Sequence, residues 1–200
     1  MHFEEGNVYH IYNRGEQRQT IFFTTDNYLF FLRKVRKEWL AYCNILSYCL
    51  MPNHFHFLLI PNALGCKHIN LGGRETHMQQ LSKTIGKTLS SYTQAINIEQ
   101  KRVGSLFQKK TKAKLIERDK HYSKQDYIIN CVIYIHLNPI SVNLCKDETD
   151  WEFSSLRDFT GLRNGTLCNK ELLYKESGLT EIDFKNLHKR DISSEKISFF

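Results

Sequence analysis

Two histidines in the stretch YCLMPNHFHFLLIPN (residues 48–62) have a spacing that suits metal binding. Alternate residues of a strand share a face, so His54 and His56 project together while Phe55 and Phe57 point the other way. If helices cover the phenylalanine face, the histidine face is the open one, and both imidazoles can reach one ion. The alternative is a half-exposed sheet whose histidines bind nothing. A catalytic metal commonly takes a third protein ligand, which must come from another element.

The segment YSKQDYIINCVIYIHLNP (122–139) has apolar residues at helical spacing and offers that third ligand. Tyr134 and Asn138 are four residues apart, so they stack on one face of the helix. An asparagine carbonyl oxygen can bind a hard ion such as Mg²⁺ or Mn²⁺, and Tyr134 would lie beside that ion. The alternatives are a core or rim role for the tyrosine and a capping role for the asparagine before Pro139.

Charge is concentrated in one part of the chain. The 200 residues carry a net charge of +7, and residues 101–120 hold eight Lys or Arg against two Asp or Glu. Such a basic block suits a polyanion, whereas a solvated loop is the alternative. The six cysteines form no C-x-x-C pair, so we expect reduced, mostly buried thiols.

The elements that position these residues follow from hydrophobic periodicity and turn residues. The predicted strands are 7–15, 43–53, 54–62 and 111–117, and the predicted helices are 24–43, 77–97 and 122–139, the last ended by Pro139. Residues 62–76 lack periodicity and are predicted to be a loop. The order β-α-β-β-α-β-α predicts an α+β, ferredoxin-like βαββαβ unit, with an antiparallel sheet, helices on one face, an added C-terminal helix and a mixed tail.

Several blocks together resemble a known family. MPNHFHFLL followed by YIHLNP resembles the single-tyrosine HUH transposases (His-hydrophobic-His), and most closely the insertion-sequence-200-like domain of the REP-associated tyrosine transposase branch. The blocks YHIYNRG, SSYTQAIN, GSLFQKKTKAKLIE and DWEFSSLRDFTG resemble the family in the same order. The resemblance covers roughly residues 5–161, so we expect a transposase domain at 1–161 and an extension of unread role at 162–200.

The resemblance implies a role for each matching residue. His54, His56 and Asn138 would be ligands of Mg²⁺ or Mn²⁺, and Tyr134 would be the nucleophile. The family cuts single-stranded DNA beside hairpins, leaving a 5′-phosphotyrosine and a free 3′-hydroxyl that can rejoin DNA. Tyr127 and Tyr122 are rival nucleophiles, but Tyr127 has no oxygen ligand four residues on and Tyr122 lies about two turns before the family motif. His136 points away from Tyr134 and is not assigned to the site.

DNA contacts beyond the metal are expected from the basic segment and from the turn after the first strand. Lys112 and Lys114 would share a strand face, and Phe107 could stack on an unpaired base or pack in the core. The residues assigned to DNA binding are Arg14, Phe107, Gln108, Lys109, Lys110, Lys112 and Lys114.

Other functions fit the same pattern less well. A DNA-binding regulator of the same fold would not need the intact tyrosine, histidine and asparagine set. An RNA-binding module of βαββαβ type would present an aromatic pair that the chain lacks. A replication-initiator HUH nuclease shares the chemistry, but the flanking blocks match transposases better. We expect a monomer or a homodimer. We expect it in the bacterial cytoplasm, because no signal peptide and no apolar run of about 20 residues is visible.

Overall fold

The computed structural model describes residues 1–72, 74–117 and 122–187. Gly73 of the predicted loop, residues 118–120 of the basic block and residues 188–200 of the tail lie outside the described residues. The strands are β1 (Val8–Arg14), β2 (Cys43–Met51), β3 (His54–Pro61), β4 (His68–Leu71), β5 (Arg74–Gln79) and β6 (Lys112–Ile116). The helices are α1 (Thr25–Trp39), α2 (Ala63–Cys66), α3 (Gln80–Glu99), α4 (Lys124–Ser141), α5 (Leu156–Phe159), α6 (Lys170–Ser177) and α7 (Glu181–Leu187).

Four of the strands form an antiparallel sheet in the order β2-β3-β1-β6. This order places β3 between β1 and β2, as a split βαβ unit requires. The α+β class and the ferredoxin-like order predicted from the sequence are therefore confirmed.

An aromatic core fills the space between one sheet face and the helices α1 and α3. Phe31 of α1 and Tyr92 of α3 pack edge to face, with ring centroids 5.0 Å apart. Phe55 and Phe57 of β3 point into the same layer, and the Trp39 ring lies 5.0 Å from that of Phe57. The phenylalanines of the HFHF stretch therefore serve this core, as the alternation predicted.

Helix α4 covers the opposite face of the sheet, which carries the histidines, whereas α1 and α3 share the phenylalanine face, as predicted for the helices of the βαββαβ unit. It lies mainly over β2 and also contacts β3 and β6. Its buried side includes Ile128, Cys131, Val132 and Ile135. The apolar side of α4 needs a surface to pack against, and the histidine face of the sheet provides that surface.

Helix α4 begins and ends at recognisable signals. Ser123 caps it through a capping box with Asp126. The prediction that Pro139 ends the helix is wrong by two residues, because the helix continues to Ser141. Proline removes a single backbone donor there, and Leu144 N donates to the Pro139 carbonyl oxygen at 2.9 Å to close the end.

Residues 62–76 are more regular than predicted. They contain α2 and most of a two-stranded hairpin of β4 and β5, which packs on α3. The Gln79 side chain accepts from Phe3 N and donates to Phe3 O, which fixes the hairpin to the N-terminal residues. The hairpin follows Pro61, the last residue of β3, whereas His54 is the first residue of β3. The hairpin therefore lies at the end of the strand that is distant from the histidines.

The chain after α4 returns along the edge of β2. Isolated bridges join Cys49 to Ser154 and Ile45 to Cys168, and α6 packs on α4 and β2. The Phe184 ring of α7 lies 4.7 Å from that of Phe159. The described part of the tail thus packs against the preceding residues, and the boundary at residue 161 stays a prediction.

Two further findings concern the thiols and the helices. All six cysteines are free, and four of them are buried. Within residues 1–72, 74–117 and 122–187, no helix has the length and apolar character needed to cross a membrane.

Candidate active site

The pairing of β1 with β3 sets where the two histidines lie. His54 stands opposite Arg14 and His56 opposite Tyr12, on the sheet face that α4 covers. The expectation that this face is open is wrong, because His56 is only 4% exposed. The pair is reached instead from a cleft of about 740 Å³ at the beginning of β3, which both histidines line.

His54 is held between two amide oxygens. Its Nδ1 lies 2.6 Å from Asn53 Oδ1, and its Nε2 lies 3.2 Å from Asn138 Oδ1. The orientation of the Asn138 amide is fixed because its Nδ2 donates to the Tyr134 carbonyl oxygen at 2.7 Å. Burial lowers the pKa of His54, which favours the neutral ring near neutral pH, and a neutral ring has a single N–H to donate.

Whichever tautomer is present, the neutral imidazole can donate in only one of these two contacts. If Nδ1–H donates to Asn53, the lone pairs of His54 Nε2 and Asn138 Oδ1 face each other. Two facing lone pairs are satisfied by a shared cation. Adjacent ligands of an octahedral ion at about 2.1 Å lie about 3 Å apart, close to the 3.2 Å seen here.

His56 has an oriented ring and an orphaned nitrogen. Its Nδ1 lies 2.9 Å from His10 Nε2, and the two rings stack with centroids 5.0 Å apart. Its Nε2 is buried and has no hydrogen-bond partner among the described residues. When His56 Nδ1–H donates to His10, Nε2 carries the lone pair that a metal ion needs.

The electrostatic environment keeps this histidine pair neutral. Burial, with His10 and His54 nearby, lowers the pKa of His56 well below its usual value. Burial also lowers the pKa of His10 to about 3, helped by Lys114. Neutral imidazoles are the form that binds metals, so protons compete little for these nitrogens near neutral pH.

A third donor for a metal site here would come from α4. Within the described parts of the chain, no cluster of three or more His, Cys, Asp or Glu could hold a metal ion. A site built on His54 and His56 therefore depends on the Asn138 oxygen and leaves positions open for other ligands. A mixed nitrogen and oxygen set with open positions suits Mn²⁺ or Mg²⁺ better than a closed structural zinc site.

Tyr134 stands one helical turn before Asn138 and lines the same cleft. Its half-buried ring meets the His56 ring edge to face, with centroids 5.4 Å apart. Burial raises the pKa of the Tyr134 hydroxyl, and a hydrogen bond with Asn138 partly opposes that rise. The rivals Tyr122 and Tyr127 contact each other instead, with ring centroids 5.9 Å apart, and neither lines the cleft.

Cations surround the cleft on the side of β1 and β6. Arg14, Gln108, Lys110 and Lys112 line it, as does Arg18, which the sequence did not single out. The other two predicted lysines lie outside it. Lys109 lines an adjoining groove of about 460 Å³, and Lys114 stands opposite His10, further along β6.

Phe107 lies in the core rather than at the cleft. It is 5% exposed, and its ring centroid lies 6.0 Å from those of Phe55 and Tyr92. This placement favours the core-packing alternative and takes the ring away from an unpaired base. The neighbouring residue Gln108 lines the cleft.

Comparison with known proteins supports the fold and leaves the family open. No protein-family model and no curated protein matches the chain. A solved structure of a REP-associated tyrosine transposase bound to a REP hairpin is similar over 80% of this chain and 83% of that chain, with a TM-score of 0.58 and 17% sequence identity. At this identity the likeness shows a shared fold.

Proposed function

We propose that the protein is a metal-dependent single-stranded-DNA endonuclease and strand transferase that uses Tyr134 as its nucleophile. One observation carries the proposal. Tyr134, His54 and His56 line a single cleft, and Asn138 connects the first two through its amide. A neighbour of the same fold is a transposase bound to a hairpin, which supports hairpin-flanked single-stranded DNA as the substrate.

Different residues of the chain would bind the DNA, hold the metal ion and attack the phosphate in such a reaction. Arg14, Arg18 and Lys112 supply positive charge that would hold the DNA backbone at the cleft. His54, His56 and Asn138 would hold Mg²⁺ or Mn²⁺. A bound divalent ion would neutralise the scissile phosphate and favour the phenolate form of a nearby tyrosine.

Tyr134 would attack the phosphorus atom and displace the 3′-oxygen, which leaves as the 3′-hydroxyl after taking up a proton. The product is a 5′-phosphotyrosine ester. A 3′-hydroxyl can then attack that ester and release Tyr134, so rejoining needs no external energy source. The raised pKa of the Tyr134 hydroxyl explains why a cation is needed beside it, because the neutral phenol is a poor nucleophile.

A covalent-adduct assay tests the proposal. Labelled hairpin oligonucleotides with single-stranded flanks are incubated with the protein and Mn²⁺ and run on a denaturing gel. The protein should form an adduct that Tyr134→Phe abolishes. Tyr127→Phe is the matched control, because Tyr127 is also on α4 but does not line the cleft.

The outcomes separate the competing functions. An adduct that survives in Tyr134→Phe and disappears in Tyr127→Phe would assign the nucleophile to Tyr127. DNA binding without any adduct, across varied hairpins and with Mn²⁺ or Mg²⁺ present, would favour the regulator that binds without cutting.

A further inference from the structure

The two flanks of the cleft differ in chemistry, and the strand order shows how. Across the sheet, β2 ends at Met51, β3 begins at His54, β1 ends at Arg14, and β6 begins at Lys112. The β1–β6 flank is cationic, with Arg14, Lys110 and Lys112 lining the cleft. These three cations lie on one side of the histidines, while Arg18 also lines the cleft and its carbonyl oxygen accepts from Asn53 Nδ2 in the turn between β2 and β3.

The β2 flank is apolar. It is lined by Met51, Pro52, Val142 and Leu144, the last two from the residues that directly follow α4. Val142 is 52% exposed and Leu144 is 41% exposed. Asn143 between them adopts a left-handed conformation, with φ 56°. Two large apolar side chains thus stand in solvent at the mouth of a charged cleft, where a purely phosphate-binding surface would place polar groups.

We infer that Val142 and Leu144 form a subsite for an unpaired nucleobase of the strand whose phosphates lie along Arg14 and Lys112. This inference rests on the proposed function and adds how the strand is oriented. A single strand has a charged side and an apolar side, and the cleft offers a surface complementary to each. A duplex hides its bases between its backbones, so it would leave the apolar flank uncovered. The subsite distinguishes single-stranded from double-stranded substrate.

Apolar side chains carry no hydrogen-bond code for the base edges, so the subsite accepts a base through contact area. We therefore expect it to tolerate different bases but not the loss of a base. This property allows a test with oligothymidine, for which the natural target sequence is not needed.

The experiment measures binding of the full chain to single-stranded oligothymidine and to a set of oligonucleotides carrying one abasic residue at each position in turn. For the unaltered protein, at least one abasic position should weaken binding about threefold to tenfold. In the double variant Val142→Ser/Leu144→Ser, that penalty should fall below about twofold, because the base has lost its contact. The control is Ile98→Ser/Val103→Ser, whose side chains are 80% and 92% exposed and do not line the cleft.

The outcomes distinguish this inference from the proposed function. Abasic penalties that are equal in the protein and in Val142→Ser/Leu144→Ser, or absent at every position, overturn the base subsite. Adduct formation by Tyr134 would remain intact in that case. A protein that binds no single-stranded DNA and forms no adduct would overturn both. An abasic penalty that is lost in the cleft variant and retained in the control supports the subsite.

Discussion

Each histidine of the candidate site has its Nδ1 against a neighbouring side chain, while His54 Nε2 faces Asn138 Oδ1 and His56 Nε2 has no partner among the described residues. Asn53 holds Nδ1 of His54, and His10 holds Nδ1 of His56. Such outer contacts select the tautomer whose Nε2 carries a lone pair. His10 is 2% exposed, so its ring cannot turn away without a cost in packing.

We expect His10→Ala to weaken Mn²⁺ binding about tenfold, because His56 would lose the partner that orients it. Isothermal titration with Mn²⁺ in the absence of DNA measures this directly. His77→Ala is the control, since His77 is exposed on β5. Equal affinities in all three proteins would show that His10 does not orient the ligand.

Some residues of the site could be predicted from the sequence, and others could not. The spacing H-x-H and the four-residue step from Tyr134 to Asn138 are local patterns, so they could be read directly. His10 and Arg18 could not, because their place depends on the register of β1 against β3 and on the turn that follows β1. One signal was present for His10, since it shares a strand face with Arg14.

At the scale of elements, the position of α4 decides the geometry of the site. A buried network fixes α4 to β2, in which His136 Nε2 lies 2.9 Å from Ser155 Oγ and 3.0 Å from Ser47 Oγ. Ser155 Oγ also accepts from Tyr48 N at 2.9 Å. The segment after α4 thus holds the helix against the sheet, and this contact also fixes the positions of Tyr134 and Asn138.

We expect Ser155→Ala to lower the free energy of unfolding by about 1–3 kcal/mol, because buried donors and acceptors would lose their partner. Urea denaturation followed by circular dichroism gives the value. Ser90→Ala, at an exposed position on α3, should change stability by less than about 0.5 kcal/mol. A loss as small as that of the control would mean that the network contributes little to holding α4.

The elements were predictable where periodicity was strong. The four sheet strands and the three long helices follow from alternation and helical spacing. The hairpin of β4 and β5 did not, because HINL and RETHMQ have few β-branched residues and no sustained alternation. Its contacts with α3 and the hydrogen bonds of Gln79 with the Phe3 backbone join distant parts of the chain, so local sequence patterns do not predict them. The position of α4 mainly over β2 likewise depends on contacts between distant segments.

At the scale of the whole molecule, a group of basic side chains lies around the cleft. The basic residues Arg14, Arg18, Lys110 and Lys112 come from two separate stretches of the chain and meet at one end of the sheet. Polyanion binding through such cations releases counterions, so affinity should fall as salt rises. The opposite face, covered by α1 and α3, has its own lysines, which offer an internal comparison.

We expect Lys110→Gln and Lys112→Gln each to reduce the slope of log K against log salt by about 0.7, the value for one contact to a single strand. Oligothymidine binding measured at several NaCl concentrations gives the slopes. Lys37→Gln is the control, because Lys37 is exposed on α1, across the sheet. A slope that changes as much for Lys37 as for Lys112 would show that the charge acts without a defined contact.

The lysines of β6 have a consequence for the solubility of the protein. A sheet has two edges, and here the β2 edge is met by residues 154 and 168, while β6 is the other outer strand. Strands at such an edge can recruit strands of other molecules and so start aggregation. The exposed Lys112 and Lys114 place charge along β6, which makes the approach of a second, identical edge repulsive. The side chains that would attract a polyanion therefore also oppose pairing of two copies through their β6 edges.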